Sequence, residues 1–455
     1  GAGPRQPRPP GTPRARCGQL ARVRSLSSRP DVHGCLGSLV DKAAEAEDGQ
    51  AVEAEPCQEQ LPSGPAAQPG PGEAAPSQAE PQAEPQAEAP ATAAAHTADC
   101  AGATMVGSLR ASPRASARRI PLQRRLCIWG GLDGCRLMTS GEAFNPGTGA
   151  WESLPPTKER MLPSTTTLGG CLYVFGGTDR KYNVLKSAQR LNPGATQWED
   201  LPPMRVARYS SSAVMAAGRL YVCGGRTRGT TLGTLECFDP TTSVWEELPP
   251  MRYPRFCFSA AVLGGCLIAC GGARTSTIVL DSTEAFDLAA RSWGPGPSMH
   301  QSRVDASSAL LAGCLYVCGG FDGKRPLCSA ERLDPGLSAW QELPAMSHLR
   351  SGAAAAVDAE QGFLYVCGGH TGNIYLNSME KFDHATGTWQ LIGGMARSRV
   401  DALAAAISSR VYVCGGRDCG TTLTMAECFD PELGGWVTLP PMQSSRCNAW
   451  GAVMP

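Results

Sequence analysis

Cys314-Leu-Tyr-Val-Cys-Gly-Gly320 is a run of strand-forming residues stopped by two glycines, and versions of it return along the chain. The doublets are Gly130-Gly131, Gly176-Gly177, Gly224-Gly225, Gly271-Gly272, Gly319-Gly320, Gly368-Gly369 and Gly415-Gly416. Their first glycines are separated by 46, 48, 47, 48, 49 and 47 residues. A fixed period of this length is the mark of a repeat architecture. Trp151, Trp198, Trp245, Trp293, Trp340, Trp389 and Trp436 keep the same phase, each 21 or 22 residues after the first glycine of a doublet.

The unit from Met299 to Pro344 shows what one repeat holds. After Arg303 comes a run of small apolar residues, Ala306–Leu311, then a turn at Gly313. Cys314–Cys318 is rich in strand formers and ends at the doublet. Phe321-Asp-Gly-Lys-Arg-Pro326 carries the Asp-Gly turn signal. Ser329–Leu333 alternates as a third strand, Asp334-Pro-Gly336 turns the chain, and Ala339–Leu343 is a fourth strand. Four short antiparallel strands per unit predict a propeller blade. The glycines and prolines inside every unit exclude a helical solenoid. The doublet suits a place where the backbone takes positive φ or passes close to another chain segment.

The pattern Arg, small strand, Leu-Tyr-Val-Cys-Gly-Gly, Glu-x-Phe/Leu-Asp-Pro, Trp, Leu-Pro-Pro-Met resembles the Kelch repeat over residues 126–455. The expected fold is therefore all-β, a seven-bladed Kelch-type β-propeller. The first unit lacks its small-residue strand, and Leu126-Cys-Ile-Trp129 replaces the usual second strand. A good first strand, Arg446–Val453, stands at the other end with no doublet after it. Ring closure by this C-terminal strand is the economical solution, and seven blades result.

Residues 1–125 form a separate region by composition. They contain no Phe, Trp or Tyr, and Gln78–Ala95 is low-complexity. A segment this poor in large apolar groups is expected to be disordered. Gly1–Pro30 carries seven arginines and no acid, which suits a basic tail or a targeting peptide. No run approaches a membrane-spanning length of apolar residues.

The protein has 20 cysteines. Cys223, Cys270, Cys318, Cys367 and Cys414 directly precede doublets, where Trp129 and Phe175 stand in the other repeats. A position that accepts Cys, Phe or Trp asks for an apolar side chain. Reduced thiols and a cytoplasmic location follow.

A third series is Arg160, Arg208, Arg255, Arg303, Arg350, Arg399 and Arg446, each just before an innermost strand. A fourth is Glu142, Gln189, Glu236, Glu284, Glu331, Glu380 and Glu427, expected to satisfy buried groups that every blade shares. The arginines are expected at the rim of the central channel, where a guanidinium fork suits carboxylates. Specificity should come from what differs between blades: Tyr182, Tyr209, Phe256, Phe321, His370 and Tyr375 join the arginines as candidate partner-binding residues.

The resemblance to Kelch adaptor proteins implies that this rim binds acidic or polar peptide segments of other proteins. It implies substrate recognition for ubiquitination as one setting and actin filaments as another. Residues 1–125 do not read as the helical BTB domain of such adaptors. The other function class is a metal-dependent enzyme on the same fold, as in copper oxidases. His300, His348, His370 and His384 show no clustering, no Gly-Lys-Ser/Thr follows a doublet, and no nucleophile elbow is present. No catalytic residue, metal or cofactor is expected. Residues 126–455 hold 27 Lys and Arg against 28 Asp and Glu, so the sequence shows no basic concentration for nucleic acid.

Overall fold

The structure is a computed structural model that describes Gly1 and residues 124–455. The expected low-complexity region, the basic tail and the targeting peptide lie outside the described residues.

Alternating small and large apolar residues, cut every few positions by Gly, Pro or Asp turns, cannot sustain a helix, and strands alone fill residues 125–454. They form seven four-stranded antiparallel sheets and three two-stranded ones, the latter Leu132–Asp133 with Arg136–Leu137, Arg226–Thr227 with Thr230–Thr231, and Arg417–Asp418 with Thr421–Thr422. The fifth blade pairs Ser307–Leu311, Cys314–Cys318, Ala330–Leu333 and Trp340–Leu343 in chain order. The first blade is composite: Trp450–Met454 pairs with Arg125–Trp129, which continues to Gly141–Asn145 and Ala150–Leu154. The register runs from Arg125 opposite Met454 to Trp129 opposite Trp450. Closure by the C-terminal strand is thus the observed topology.

The seven first strands neighbour one another in a closed cycle, from Trp450–Met454 through Ser164–Leu168 and on to Leu403–Ile407. They line the axis. The second strands behind them are buried along nearly their whole length, as Leu315, Tyr316, Val317 and Cys318 illustrate. Apolar side chains from facing sheets then fill the gaps between blades, as Leu220, Val222 and Phe238 do against Phe175 and Met204.

Tryptophan fastens each blade to the one before it. Trp245 Nε1 donates to the Pro202 carbonyl at 2.7 Å, and Trp293 to that of Pro249 at 2.8 Å. Trp151 closes the cycle by donating to the Pro440 carbonyl at 2.7 Å. The exception is Trp389, whose Nε1 is buried without a partner. The seam blade has extra aromatic weight: Trp129 stacks on Trp450 at 5.8 Å and meets Trp198 edge-on at 5.4 Å.

The doublets explain themselves at the junctions. The first glycine has φ of 61–66° and the second 81–92° in all seven. A Cβ on Gly319 would stand 2.3 Å from the Arg350 carbonyl oxygen, while Gly320 N–H donates to that oxygen at 2.8 Å. The doublet is where one blade touches the connection into the next, and a side chain there would force the two apart.

Candidate functional site

Antiparallel strands put two sets of connections on one face: those from second to third strand, beginning at the doublets, and those from a fourth strand to the next first strand. Both sets surround one mouth of the channel.

The seven arginines lie beneath this face and do not line its outer rim. Each is 0–1 % exposed. Nη1 donates to the carbonyl of the first doublet glycine of its own blade at 2.7–3.1 Å. Nη2 of Arg208, Arg255, Arg303, Arg350 and Arg446 meets the blade's glutamate at 2.5–2.9 Å. Arg399 pairs with Glu427 in the same way. The second carboxylate oxygen is taken by backbone N–H groups of the same connection, as Glu236 accepts from Arg205 at 2.6 Å. The expectation that these arginines present a fork to a partner is corrected: carbonyls and a carboxylate inside the fold already occupy the guanidinium. The glutamate series is structural for the complementary reason.

Blade 2 departs from the pattern in an informative way. Arg160 faces Gln189, which passes the interaction on by donating to Asp200 at 2.9 Å. Without a carboxylate in contact, burial pulls the Arg160 guanidinium down to about 10, with Asp200 opposing from a distance.

The next position forms a ring with the residue that follows each doublet. Met161 pairs with Thr178, Tyr209 with Arg226, Phe256 with Ala273, Val304 with Phe321, Ser351 with His370, Val400 with Arg417, and Cys447 with Leu132. Tyr209, Phe256, Phe321 and His370 therefore come together on one ring, as the sequence reading grouped them. Tyr209 and Phe256 are nearly covered and pack with Leu162, Tyr182 and Val304. Tyr182, Phe321 and Tyr375 are half-buried. Tyr375 stands edge-on to His370 at 6.4 Å, and His370 Nδ1 accepts from Gly372 N–H at 3.2 Å. The aromatics thus present edges and rims rather than free rings.

One residue further on lies a second ring that sequence reasoning missed. Leu162, Ser210, Cys257, Asp305, Gly352, Asp401 and Asn448 all have φ between 49° and 63°. Their backbones link from blade to blade: Ser210 N–H to Leu162 O at 3.0 Å, Cys257 to Ser210 at 3.2 Å, Asp305 to Cys257 at 3.5 Å, Gly352 to Asp305 at 3.5 Å, Asp401 to Gly352 at 3.1 Å, and Asn448 to Asp401 at 3.0 Å. Among the described residues the seventh link, between Leu162 and Asn448, is not made. Asp, Asn and Gly tolerate the left-handed backbone, but Leu162, Ser210 and Cys257 give no such signal, so residue type alone did not expose the ring.

Two carboxylates stand in this throat. Burial, with Asp401 adding repulsion, pushes Asp305 up to about 7. Burial raises Asp401 to about 6, against the opposing Arg417 charge and the Asn448 amide. Both are half-buried.

Charge is segregated between faces. The connections at this mouth contain 14 Lys and Arg against 8 Asp and Glu, leaving aside the buried Arg–Glu ring. All but Arg226 and Arg417 of those basic residues are exposed, whereas only Asp133 and Asp281 of the acids are. The rest of the propeller, from Arg125 onward, holds 7 Lys and Arg against 14 Asp and Glu. The sequence reading found no concentration of basic residues because chain order interleaves the two faces; the fold sorts them. Among the described residues no group of three or more His, Cys, Asp or Glu could hold a metal ion.

Family comparisons fit this geometry. The KLHDC2/KLHL20/DRC7 Kelch-repeats domain matches residues 115–320, and the Kelch motif matches residues 302–347, 349–396 and 398–443. The chain belongs to the Kelch-repeat propellers. Kelch propellers are in general protein-interaction modules. Comparison with curated proteins returned no match. Among solved structures, YjhT is similar at 14 % identity and a TM-score of 0.51, covering 63 % of this chain and 99 % of that one. A fungal alcohol oxidase of the AA5 family, in complex with copper, is similar at 18 % identity and a TM-score of 0.55, covering 67 % and 71 %. At these identities the likeness shows the fold alone.

Proposed function

We propose that this Kelch propeller is an adaptor or scaffold whose doublet-side face captures acidic or polar peptide segments of a partner protein. The observation that carries the reading is the sorting of charge: the exposed groups at this mouth are almost all basic, while the opposite face and the strands are acidic. Opposite potentials steer encounter and fix orientation. The non-repeating loop residues Arg180, Arg228, Arg274, Lys324 and Arg325 supply the field, and the half-buried Tyr182, Phe321 and Tyr375 supply aromatic contact area.

The buried repeat arginines support this face from below without touching the partner. The near-zero net charge of the propeller as a whole favours a short acidic segment over a long polyanion. All sixteen described cysteines are free, which suits a reducing compartment such as the cytoplasm. Ubiquitination and filament binding are downstream settings in which such capture would serve.

Affinity capture with the full chain tests the reading. The variant Arg228→Glu/Arg274→Glu/Lys324→Glu/Arg325→Glu should fold and lose the wild-type partners. Capture of the same proteins by both forms would overturn it. So would a loss confined to nucleic acid.

A further inference from the structure

Each blade ends in an outer strand with one edge unpaired, a template on which another chain can add a strand. Six of the seven edges carry a guard at one register. Opposite the repeat glutamate or glutamine stand Ser153, Asp200, Glu247, Pro295, Glu342 and Thr438 in blades 1–5 and 7, each polar or a proline. In blade 6 the residue there is Leu391, which is 51 % exposed. The whole strand, Thr388-Trp-Gln-Leu-Ile392, has no charge, and three of its five residues are exposed. The outer strand of blade 7, Gly435–Thr438, is also uncharged, but it is one residue shorter and starts on a glycine.

Blade 7 leaves this edge open. A groove of about 560 Å³ runs between blades 6 and 7, with Phe363, Tyr365, Gln390, Leu391, Phe429 and Glu432 in its walls. Blades 1, 2, 3 and 7 follow the outer strand with two prolines, as in Leu154-Pro-Pro156 and Leu439-Pro-Pro441. Blade 6 has Ile392-Gly-Gly394 instead, so no proline ring fills that end of the groove. Gly393 lines it, and a Cβ there would meet nothing within 4 Å. Leu433, between the groove-lining Glu432 and Gly434, is 73 % exposed. Each bank of the groove thus carries an exposed leucine.

Charge selects what the edge takes. The strand starts at the face opposite the doublets, where Thr388 is paired with Asp383 and the exposed Glu360 lies in a turn of the same blade. It ends at the doublet-side face, where the exposed Arg397 follows in the connection to blade 7. A second copy laid antiparallel sets the basic end of each strand against the acidic end of the other, and the basic face of each propeller beside the acidic face of its neighbour. Parallel addition would oppose like ends.

We propose that the outer strand of blade 6 is an interface between two copies of this chain, which pair antiparallel through Thr388–Ile392 about a two-fold axis. The contact is self-complementary: each strand satisfies the other's free main-chain groups, and Leu391 of both copies leaves water. It lies on the flank of the propeller, apart from the face that captures a partner, so the two readings stand or fall separately.

The test is sedimentation of the full chain over a concentration series under reducing conditions, with a reversible monomer–dimer equilibrium expected. Leu391→Glu, which gives blade 6 the residue that blades 3 and 5 carry, should melt like the wild type and weaken the dimer about tenfold or more. Leu391→Thr, the blade 7 residue, should weaken it less. Val244→Glu, at an exposed position on the outer strand of blade 3, should leave the equilibrium as it is. Added salt should loosen the dimer, because the opposed ends differ in charge. Amide exchange across residues 388–392 should slow as the dimer forms. A chain that stays monomeric at every concentration would overturn the interface. So would a Leu391→Glu dimer as tight as the wild type, or exchange at residues 388–392 that does not respond to dimerisation. Should the glutamate lower the melt, the threonine variant and the exchange decide.

Discussion

The arginine of each repeat and the residue two places after it share a loop but follow different rules. The arginine is the same in all seven blades, is enclosed, and spends its donors on carbonyls and, in every blade but the second, a carboxylate. The residue two places on is Leu, Ser, Cys, Asp, Gly, Asp or Asn. It shares only a left-handed backbone and, in six of seven junctions, a hydrogen bond to its neighbour. Below the face, repetition of side chains builds the ring. In the throat, the backbone alone repeats, and side chains are left free to differ. Invariance within a repeat therefore reports an internal bond, and function should be sought one or two residues away.

The strongest way to break this comparison is to open the ring itself. Deleting residues 450–455 removes the strand that pairs with Arg125–Trp129 and should abolish the cooperative melt of the propeller. A truncated protein that melts like the full chain would contradict closure. Next, Arg303→Ala leaves Glu331 buried without its cation and should cost ~3–5 kcal/mol in denaturant titration. Arg160→Met should cost less, because Gln189 is left as a neutral group. Equal losses would mean that charge pairing is not what the arginine contributes. Trp245→Ala should cost ~3–5 kcal/mol through lost packing and the lost bond to Pro202.

The throat predicts a smaller, pH-dependent effect. Asp305 and Asp401 have folded-state values raised to about 7 and about 6, above the ordinary 3.8 of the unfolded chain. The folded state therefore holds its protons longer. Their contribution to stability is full below the unfolded value and is lost as pH rises through 6 and 7. Asp305→Asn should raise the melting temperature at pH 8 and leave it nearly unchanged at pH 4. A variant that is destabilised at both pH values would show that the carboxylate is a required structural acceptor. Lys324→Glu/Arg325→Glu, on the exposed loop, should change stability by less than ~0.5 kcal/mol per site.

The period of the doublets and tryptophans made the blade count legible, because each blade must solve the same packing problem with nearly the same residues. The missing first strand before Leu126 and the spare one after Arg446 made the closure legible as well. The role of the arginines was not legible, since a fork at the start of an inner strand reads equally well as a rim ligand or an internal rivet. Burial decides between them, and burial depends on carbonyls contributed by Gly319 and Ser329, which lie 16 and 26 residues from Arg303.

Sequence alone determined the number of blades, the strands within them and the place where the ring closes, because those depend on local strand propensity and a repeated register. The tertiary structure decided which side of the ring each charge faces and that the repeat arginines are internal rivets. Those properties arise only when connections distant in sequence meet around one channel, where desolvation sets the strength of every unpaired group.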